Sequence, residues 1–232
     1  MTLLTICQTA IDEIGSFDRD VSIAGNSDVQ ARQLLALANR VGREIYKYSA
    51  TSWQKLLNEH TFTTINGTAT YALPSDYYQP ANTTQWDLQD KELLEGPITP
   101  TRWAYINNSW LADSSIITRF RIRDDMFEIL PTPTDARTIS YHYWSKNWVQ
   151  AVDATEKDAF TADTDTALID EDLIILGVKS QFLAAKGLPY DIERSQFLRA
   201  LDSARAADGG KSMIDLGRRV VVDNIPDGSW PQ

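Results

Sequence analysis

The sequence has 232 residues, with 22 Lys and Arg against 32 Asp and Glu, and a formal charge of −10. This acidity disfavours a grip on a phosphate backbone, which needs clustered Lys and Arg, and the single cysteine, Cys7, excludes an internal disulfide framework. No run approaches the roughly 20 apolar residues of a membrane span, and Met1 is not followed by a signal peptide pattern, so we predict a soluble chain made in the cytoplasm.

Two amphipathic helices are predicted at the N-terminus. Residues 2–14 carry apolar side chains at helical spacing, and Gly15 is a typical C-terminal stop. Ser27 is predicted as the N-cap of a second helix over residues 28–49. Cys7 lies on the apolar side of the first helix, which predicts a small buried side chain rather than a reactive thiol.

The middle of the chain changes to the period of two that is typical of strands. Residues 59–65 alternate, Asn66-Gly67 predicts a two-residue hairpin turn, and residues 68–73 return as the second strand. A second hairpin is predicted at Asp124-Asp125. Further strands are predicted over 83–88, 116–122, 126–130 and 138–144, with a short helix or exposed loop over 100–106 and a polar, irregular stretch over 145–166. Short strands with regular turn signals favour a small antiparallel sandwich or open barrel.

Residues 167–208 predict a helical hairpin. Asp170, Glu171 and Asp172 lie in the opening turns of its first helix, where acids complement the helix dipole. Gly187 and Pro189 then separate this helix from the next. Such a hairpin leaves an apolar face uncovered, and the N-terminal helices are the partners that we predict for it.

These elements predict an α+β fold. An antiparallel helical bundle is built from both chain ends, and it carries an inserted small antiparallel β-module and an extended C-terminal tail. The predicted divisions are residues 1–52 for the first part of the bundle, 53–158 for a β-sandwich-like module, 159–208 for the C-terminal hairpin of the bundle, and 209–232 for a docking arm.

The motifs for catalysis and metal binding are incomplete. His60 and His142 fall within strand-like alternation and stand in no paired-His or nucleophile motif. The acidic run before residue 172 has Ala167 and Leu168 where an EF-hand needs an oxygen ligand and a glycine. The Gly-Lys-Ser of residues 210–212 lacks the first glycine of a phosphate-binding loop and follows a helix. We therefore predict no enzyme, no cofactor and no metal site.

The tail over 209–232 has no helical period. Residues 218–222 form a short strand-like stretch with nothing local to pair with. The tail either docks back on its own domain or docks on another chain by adding a strand, with Val222, Ile225 or Trp230 as buried anchors. We favour the arm that docks on another chain.

Several segments resemble the head-to-tail adaptor (connector) proteins of tailed bacteriophages, of the phage adaptor type found in short-tailed phages. The segments are the helical N-terminus, residues 66–77 (NGTATYALPSDY), residues 129–144 (ILPTPTDARTISYHYW) and residues 167–210. The resemblance covers most of the chain. It rests on the order and texture of these segments, because the family has no catalytic motif.

The resemblance implies a structural, non-enzymatic virion protein at the head-tail junction. It implies a homo-oligomeric ring, usually of twelve copies, that binds the portal protein above and the tail tube, nozzle or tail fibre proteins below. Genomic DNA passes through without sequence-specific binding, which suits an acidic chain. The C-terminal segment reaches the portal, and the chemistry of the tail makes these its candidate portal-binding residues: Arg218, Arg219, Val220, Val222, Ile225 and Trp230.

Two other functions remain open. The first is a carbohydrate- or protein-binding β-module of a phage tail component. Its ligand platform would be drawn from Trp86, Trp103, Trp110, Trp144 and Trp148. Aromatic residues of a β-sandwich are nevertheless more typical of its core. The second is a cell-wall hydrolase, which predicts measurable turnover of peptidoglycan.

Overall fold

A computed structural model of the chain describes residues 1–15, 18–48, 53–108 and 117–208. The described residues form these five α-helices: α1 (Leu3–Ile14), α2 (Val29–Lys47), α3 (Pro100–Asn107), α4 (Glu171–Ala185) and α5 (Asp191–Asp208). They also form these strands: β1 (Leu57–Thr63), β2 (Thr70–Ala72), β3 (Tyr77–Pro80), β4 (Trp86–Asp87), β5 (Glu92–Leu93), β6 (Arg119–Arg123), β7 (Met126–Leu130), β8 (Thr138–Ser145), β9 (Val149–Gln150), β10 (Glu156–Lys157) and β11 (Thr166–Ala167). The predicted α+β class is confirmed.

The helix ends follow local capping chemistry. The C-cap of α1 is Gly15, whose φ of 71° lies in the left-handed region that glycine tolerates. The N-cap of α2 is Asp28 and not the predicted Ser27, because the Asp28 carboxylate accepts a hydrogen bond from the amide of Gln30 at 2.8 Å. Asp170 caps α4 in the same way, with the acidic residues in its first turn as predicted.

Helices from both ends of the chain share one core. The central helix is α4, which packs against α1, α2 and α5. Its Ile174, Val178 and Phe182 side chains are fully buried. A helix that is apolar on most of its faces is stable only when other helices surround it, so α1 and α2 supply the cover that the C-terminal hairpin lacks.

The middle of the chain forms two antiparallel sheets that face each other. One sheet has the order β1-β8-β4-β5, with β3 also pairing with β8, and the other has the order β2-β7-β6. Aromatic side chains fill the space between them. The Phe127 ring lies 4.8 Å from Phe120 of its own sheet and 5.3 Å from Tyr141 of the facing sheet.

The hairpin predicted at Asn66-Gly67 is wrong, although the turn exists. The amide of Thr68 donates to the carbonyl of Ile65 at 3.0 Å, yet β1 pairs with β8 and β2 pairs with β7. The chain therefore passes from one sheet to the other at this turn, and the rings of Phe62 and Tyr71 meet at 4.6 Å between the sheets. The other predicted hairpin, at Asp124-Asp125, is confirmed between β6 and β7.

The sequence left one stretch open and predicted another as too long a strand. The residues predicted as a short helix or an exposed loop form α3, which begins after the N-cap Thr99. The predicted strand over residues 83–88 contributes only the two residues of β4.

Most of the stretch over 145–166 is irregular, as the sequence predicted, but it also holds short strands. It contains β9 and β10, which form a small sheet with β11 in the order β10-β9-β11. Trp148 and Phe160 meet edge to face at 4.9 Å and are buried in the core of the helices. Because these two rings are buried there, the stretch packs against the helices. The division of the chain at residue 158 stays a prediction.

Candidate interaction surfaces

Asp163 ties the loop before α2 to the loop before β11. Its carboxylate accepts hydrogen bonds from the amides of Ile23 and Ala24 at 3.0 and 2.7 Å, and from the Ser22 hydroxyl at 2.7 Å. Burial raises the pKa of Asp163, but the hydrogen bonds from Ala24, Ser22 and Ile23 outweigh it, and the pKa is lowered. The site is structural, because all three donors belong to the chain itself.

Asp165 binds the backbone and a side chain of the loop that precedes it. Its carboxylate accepts from the amides of Thr161 and Ala162 at 2.8 and 2.9 Å, and from the Lys157 ammonium at 3.0 Å. Burial raises the pKa of Asp165, but these hydrogen bonds and the Lys157 charge outweigh it, and the pKa is lowered. Asp163 and Asp165, which belong to the acidic run that fails the EF-hand pattern, therefore bind the loop backbone.

The point where the tail leaves the helices is fixed. Asp208, the last residue of α5, accepts a hydrogen bond from the amide of Gln54 at 2.7 Å. Both residues lie at the boundary between the helices and β1. The predicted docking arm follows directly after Asp208, and these six predicted portal-binding residues lie outside the described residues: Arg218, Arg219, Val220, Val222, Ile225 and Trp230.

A groove of about 860 Å³ runs between α2, α4 and α5. We call it the basic groove, because Arg40, Arg43 and Lys47 line it from α2 and Arg194 lines it from α5. One carboxylate, Glu44, lies among them. The sequence reasoning missed this surface, although the spacing of the three α2 cations places them on one side of a helix.

Arg137 organises the loops at one end of the two facing sheets. Its guanidinium forms ion pairs with Asp87, Asp90 and Asp135. The hydrogen bond from Arg137 to Asp135 is the largest of several effects that raise the pKa of the guanidinium. Asp87 is buried and also accepts from the amide of Gln89 at 2.9 Å, so the cluster holds the turn between β4 and β5 in place.

The tryptophans among the described residues do not form an exposed platform. Trp103 and Trp148 are buried, Trp144 is partly buried, and Trp110 lies outside the described residues. Trp86 is 42% exposed and lies directly opposite Leu93, which is 43% exposed, on the β4–β5 pair. These two side chains form a small apolar patch at the edge of the sheet.

The remaining candidates for chemistry lie in structural positions. His60 is in β1, 5.4 Å from the ring of Tyr141, and His142 is in β8, as the strand alternation predicted. Cys7 is fully buried, which confirms the prediction for it. Burial, with smaller contributions from Asp163 and Asp20, raises the pKa of its thiol to about 12.

Residues 1–15, 18–48, 53–108 and 117–208 offer neither a metal-binding cluster nor a membrane-spanning helix. In these ranges, no three or more His, Cys, Asp or Glu side chains are grouped so that they could hold a metal ion. Within the same ranges, no helix combines the length and the apolar character that crossing a bilayer requires.

The family model of the SU10 adaptor protein matches residues 1–221, which is nearly the whole chain. The chain therefore belongs to the SU10 adaptor protein family, a family of bacteriophage adaptors, and the resemblance inferred from the sequence is confirmed. None of the curated proteins matches it.

Proposed function

We propose that this chain is a structural, non-enzymatic subunit of a bacteriophage virion at the head-tail junction. Copies of it form a ring, of about twelve by the family resemblance, that attaches the tail beneath the portal and lines the DNA exit channel. Membership of the adaptor family across residues 1–221 is the observation that carries this proposal. The chain is made in the host cytoplasm and acts in the virion.

The parts of the chain have separate tasks in this proposal. Residues 1–52 and 159–208 form the helical body of the ring, and residues 53–158 form a module that meets the tail tube, nozzle or fibre proteins. Residues 209–232 form the arm that reaches the portal. The fixed exit at Asp208 supports this assignment, because an arm is useful only if it starts from a defined position.

The acidity of the chain suits the proposed channel. A formal charge of −10 repels the phosphate backbone, so DNA passes without sticking. An arm with a single aromatic anchor supplies only about 2–4 kcal/mol of binding free energy. Repetition around a closed ring raises the effective concentration of each next arm and makes the attachment stable without any strong single site.

The test is to mix the purified chain with the portal protein of the same phage and to measure the mass of the complex. We expect the full chain to add about twelve copies, and a chain that ends at Asp208 to add none. Two variants sharpen the comparison: Trp230→Ala in the arm should weaken portal binding, whereas Leu88→Ala, at an exposed position beside β4, should not. If the full-length chain does not bind the portal protein, the proposal is contradicted.

A second candidate function is protein binding by the β-module of a tail component. The exposed pair of Trp86 and Leu93 favours it, since a Trp at the centre of an apolar patch is a typical binding hot spot. Trp86→Ala should then abolish binding to a purified tail protein while the chain still adds to the portal. If removing the arm abolishes only portal binding, the two functions belong to separate parts of the chain.

A further inference from the structure

The basic groove is an unusual surface for this chain. The helix α2 carries four Lys and Arg and a single carboxylate, a formal charge of +3 in a chain whose total is −10. Three of these cations, Arg40, Arg43 and Lys47, are exposed and line the groove over about 10 Å of helix. Positive charge is therefore concentrated on one face.

Glu44 does not neutralise these cations. Its two carboxylate oxygens accept hydrogen bonds from the Arg194 guanidinium at 2.7 Å and from the Gln181 side-chain amide at 2.8 Å. Both contacts tie α2 to the C-terminal hairpin. Arg40 and Arg43 have no hydrogen bond or ion pair with any residue in the part of the chain that the structure describes. They are left ready to meet negative charge from outside the molecule.

The other lining residues indicate a protein partner rather than a phosphate backbone. Tyr48 and Tyr190 line the groove, and Leu188 and Ile192 are exposed in the adjoining turn and first residues of α5. Arginine and tyrosine are enriched at protein interfaces, where aromatic rings supply buried area and charged groups surround them. A surface for phosphates alone needs no such apolar border.

We propose that the basic groove is a docking site for an acidic surface of a second copy of this chain. Copies with a charge of −10 repel one another, so their contact needs a local surface of opposite charge, and α2 supplies it. A ring requires two different surfaces on each copy, because its contacts are head-to-tail. Glu92 on β5 and Asp125 in the turn between β6 and β7 are exposed and have no ion pair among the described residues, so the same chain carries negative charge elsewhere. The inference rests on the proposed ring for its setting.

The test compares two charge-reversed variants of equal net charge. Arg40→Glu with Arg43→Glu changes the groove, and Arg199→Glu with Arg205→Glu changes two exposed positions of α5 that do not line it. Self-association is measured by sedimentation over a range of protein concentration and from about 0.05 to 0.5 M salt. We expect the groove variant to associate about 10-fold or more weakly, the α5 variant to match the unaltered chain, and salt to weaken the unaltered chain.

Thermal unfolding must first show that both variants fold. Equal association by the two variants, or no association of the unaltered chain alone or on the portal, overturns the inference. Loss of duplex DNA binding as the only change also overturns it, since the groove would then contact nucleic acid. If the chain associates through the groove but does not bind the portal, the inference holds and the proposed function is contradicted instead.

Discussion

The Asp163 carboxylate accepts a hydrogen bond from the backbone amide of Ala24 at 2.7 Å, although the two residues lie 139 positions apart. This contact joins the loop before α2 to the segment that leads into α4. The amide of Leu3 also donates to the carbonyl of Asp165 at 2.8 Å, so the beginning of α1 is held by the same segment. The N-terminal helices and the segment that leads into α4 are thus connected by polar contacts as well as by a shared core.

Replacing Asp163 by Ala should destabilise the fold. The change leaves the amides of Ile23 and Ala24 without their acceptor, and an unsatisfied buried donor costs about 1–3 kcal/mol. The free energy of unfolding in urea measures the effect. Asp202→Ala, at an exposed position of α5, is the control and should change the stability by less than about 0.5 kcal/mol. Equal effects of the two substitutions would show that Asp163 has no special role.

Acid should destabilise the chain through Asp163 and Asp165. Both carboxyls have pKa values lowered from the ordinary 3.8, so the unfolded chain binds protons more readily than the folded chain. Their contribution to stability is fully present above the unfolded pKa and is lost as pH falls through the folded values. We expect the free energy of unfolding to decrease as the pH is lowered from about 4. Asp163→Asn with Asp165→Asn should flatten this fall, whereas the exposed Asp202→Asn should leave it unchanged.

Replacing Gly42 by Ala should also destabilise the fold. The ring of Trp148 lies directly against the Gly42 backbone on α2, and an added Cβ would overlap the ring carbons. Overpacking of this kind costs about 1–3 kcal/mol, which outweighs a gain of up to about 1 kcal/mol from the helix propensity of Ala. In a Trp148→Phe background the smaller ring leaves room, so the same substitution should cost less. Urea unfolding of the unaltered chain, the two single variants and the double variant measures these effects. A Gly42→Ala variant that is more stable than the unaltered chain would contradict the prediction.

The predicted β-module can be tested through its aromatic core. Phe127→Ala removes a buried ring between the two sheets and should cost about 3–5 kcal/mol. If residues 53–158 form a unit of their own, hydrogen exchange should accelerate in β6, β7 and β8 while α4 stays protected. Leu88→Ala, at a side chain that is about half exposed, serves as the control. Equal loss of protection in α4 would contradict the division of the chain.

Local sequence patterns predicted individual elements better than their partners. The strand β7 has the predicted bounds, and both helices of the C-terminal hairpin begin close to their predicted positions. The pairing of β1 with β8 was missed, because Asn66-Gly67 indicates a turn but not which strand lies beside which. The pairing depends on distant segments, because β8 lies beside β1 along its whole length and β7 lies beside β2.

The basic groove illustrates the same limit for a surface. The spacing of Arg40, Arg43 and Lys47 is visible in the sequence, and it predicts a charged helix face. The positive charges of this face stay unpaired because Glu44 is bound by Gln181 and Arg194, which are 137 and 150 positions away. Such long-range contacts follow from the folded arrangement of α2, α4 and α5, which no local pattern contains.

The hydrogen bond from Gln54 to Asp208 also has a mechanical consequence. Residues after Asp208 start from the junction where a short helical turn at Gln54 leads into β1. Tension on the arm would therefore pull on α5 and on the base of β1 together. The load would be divided between the helices and the sheets, and neither half would have to bear it alone.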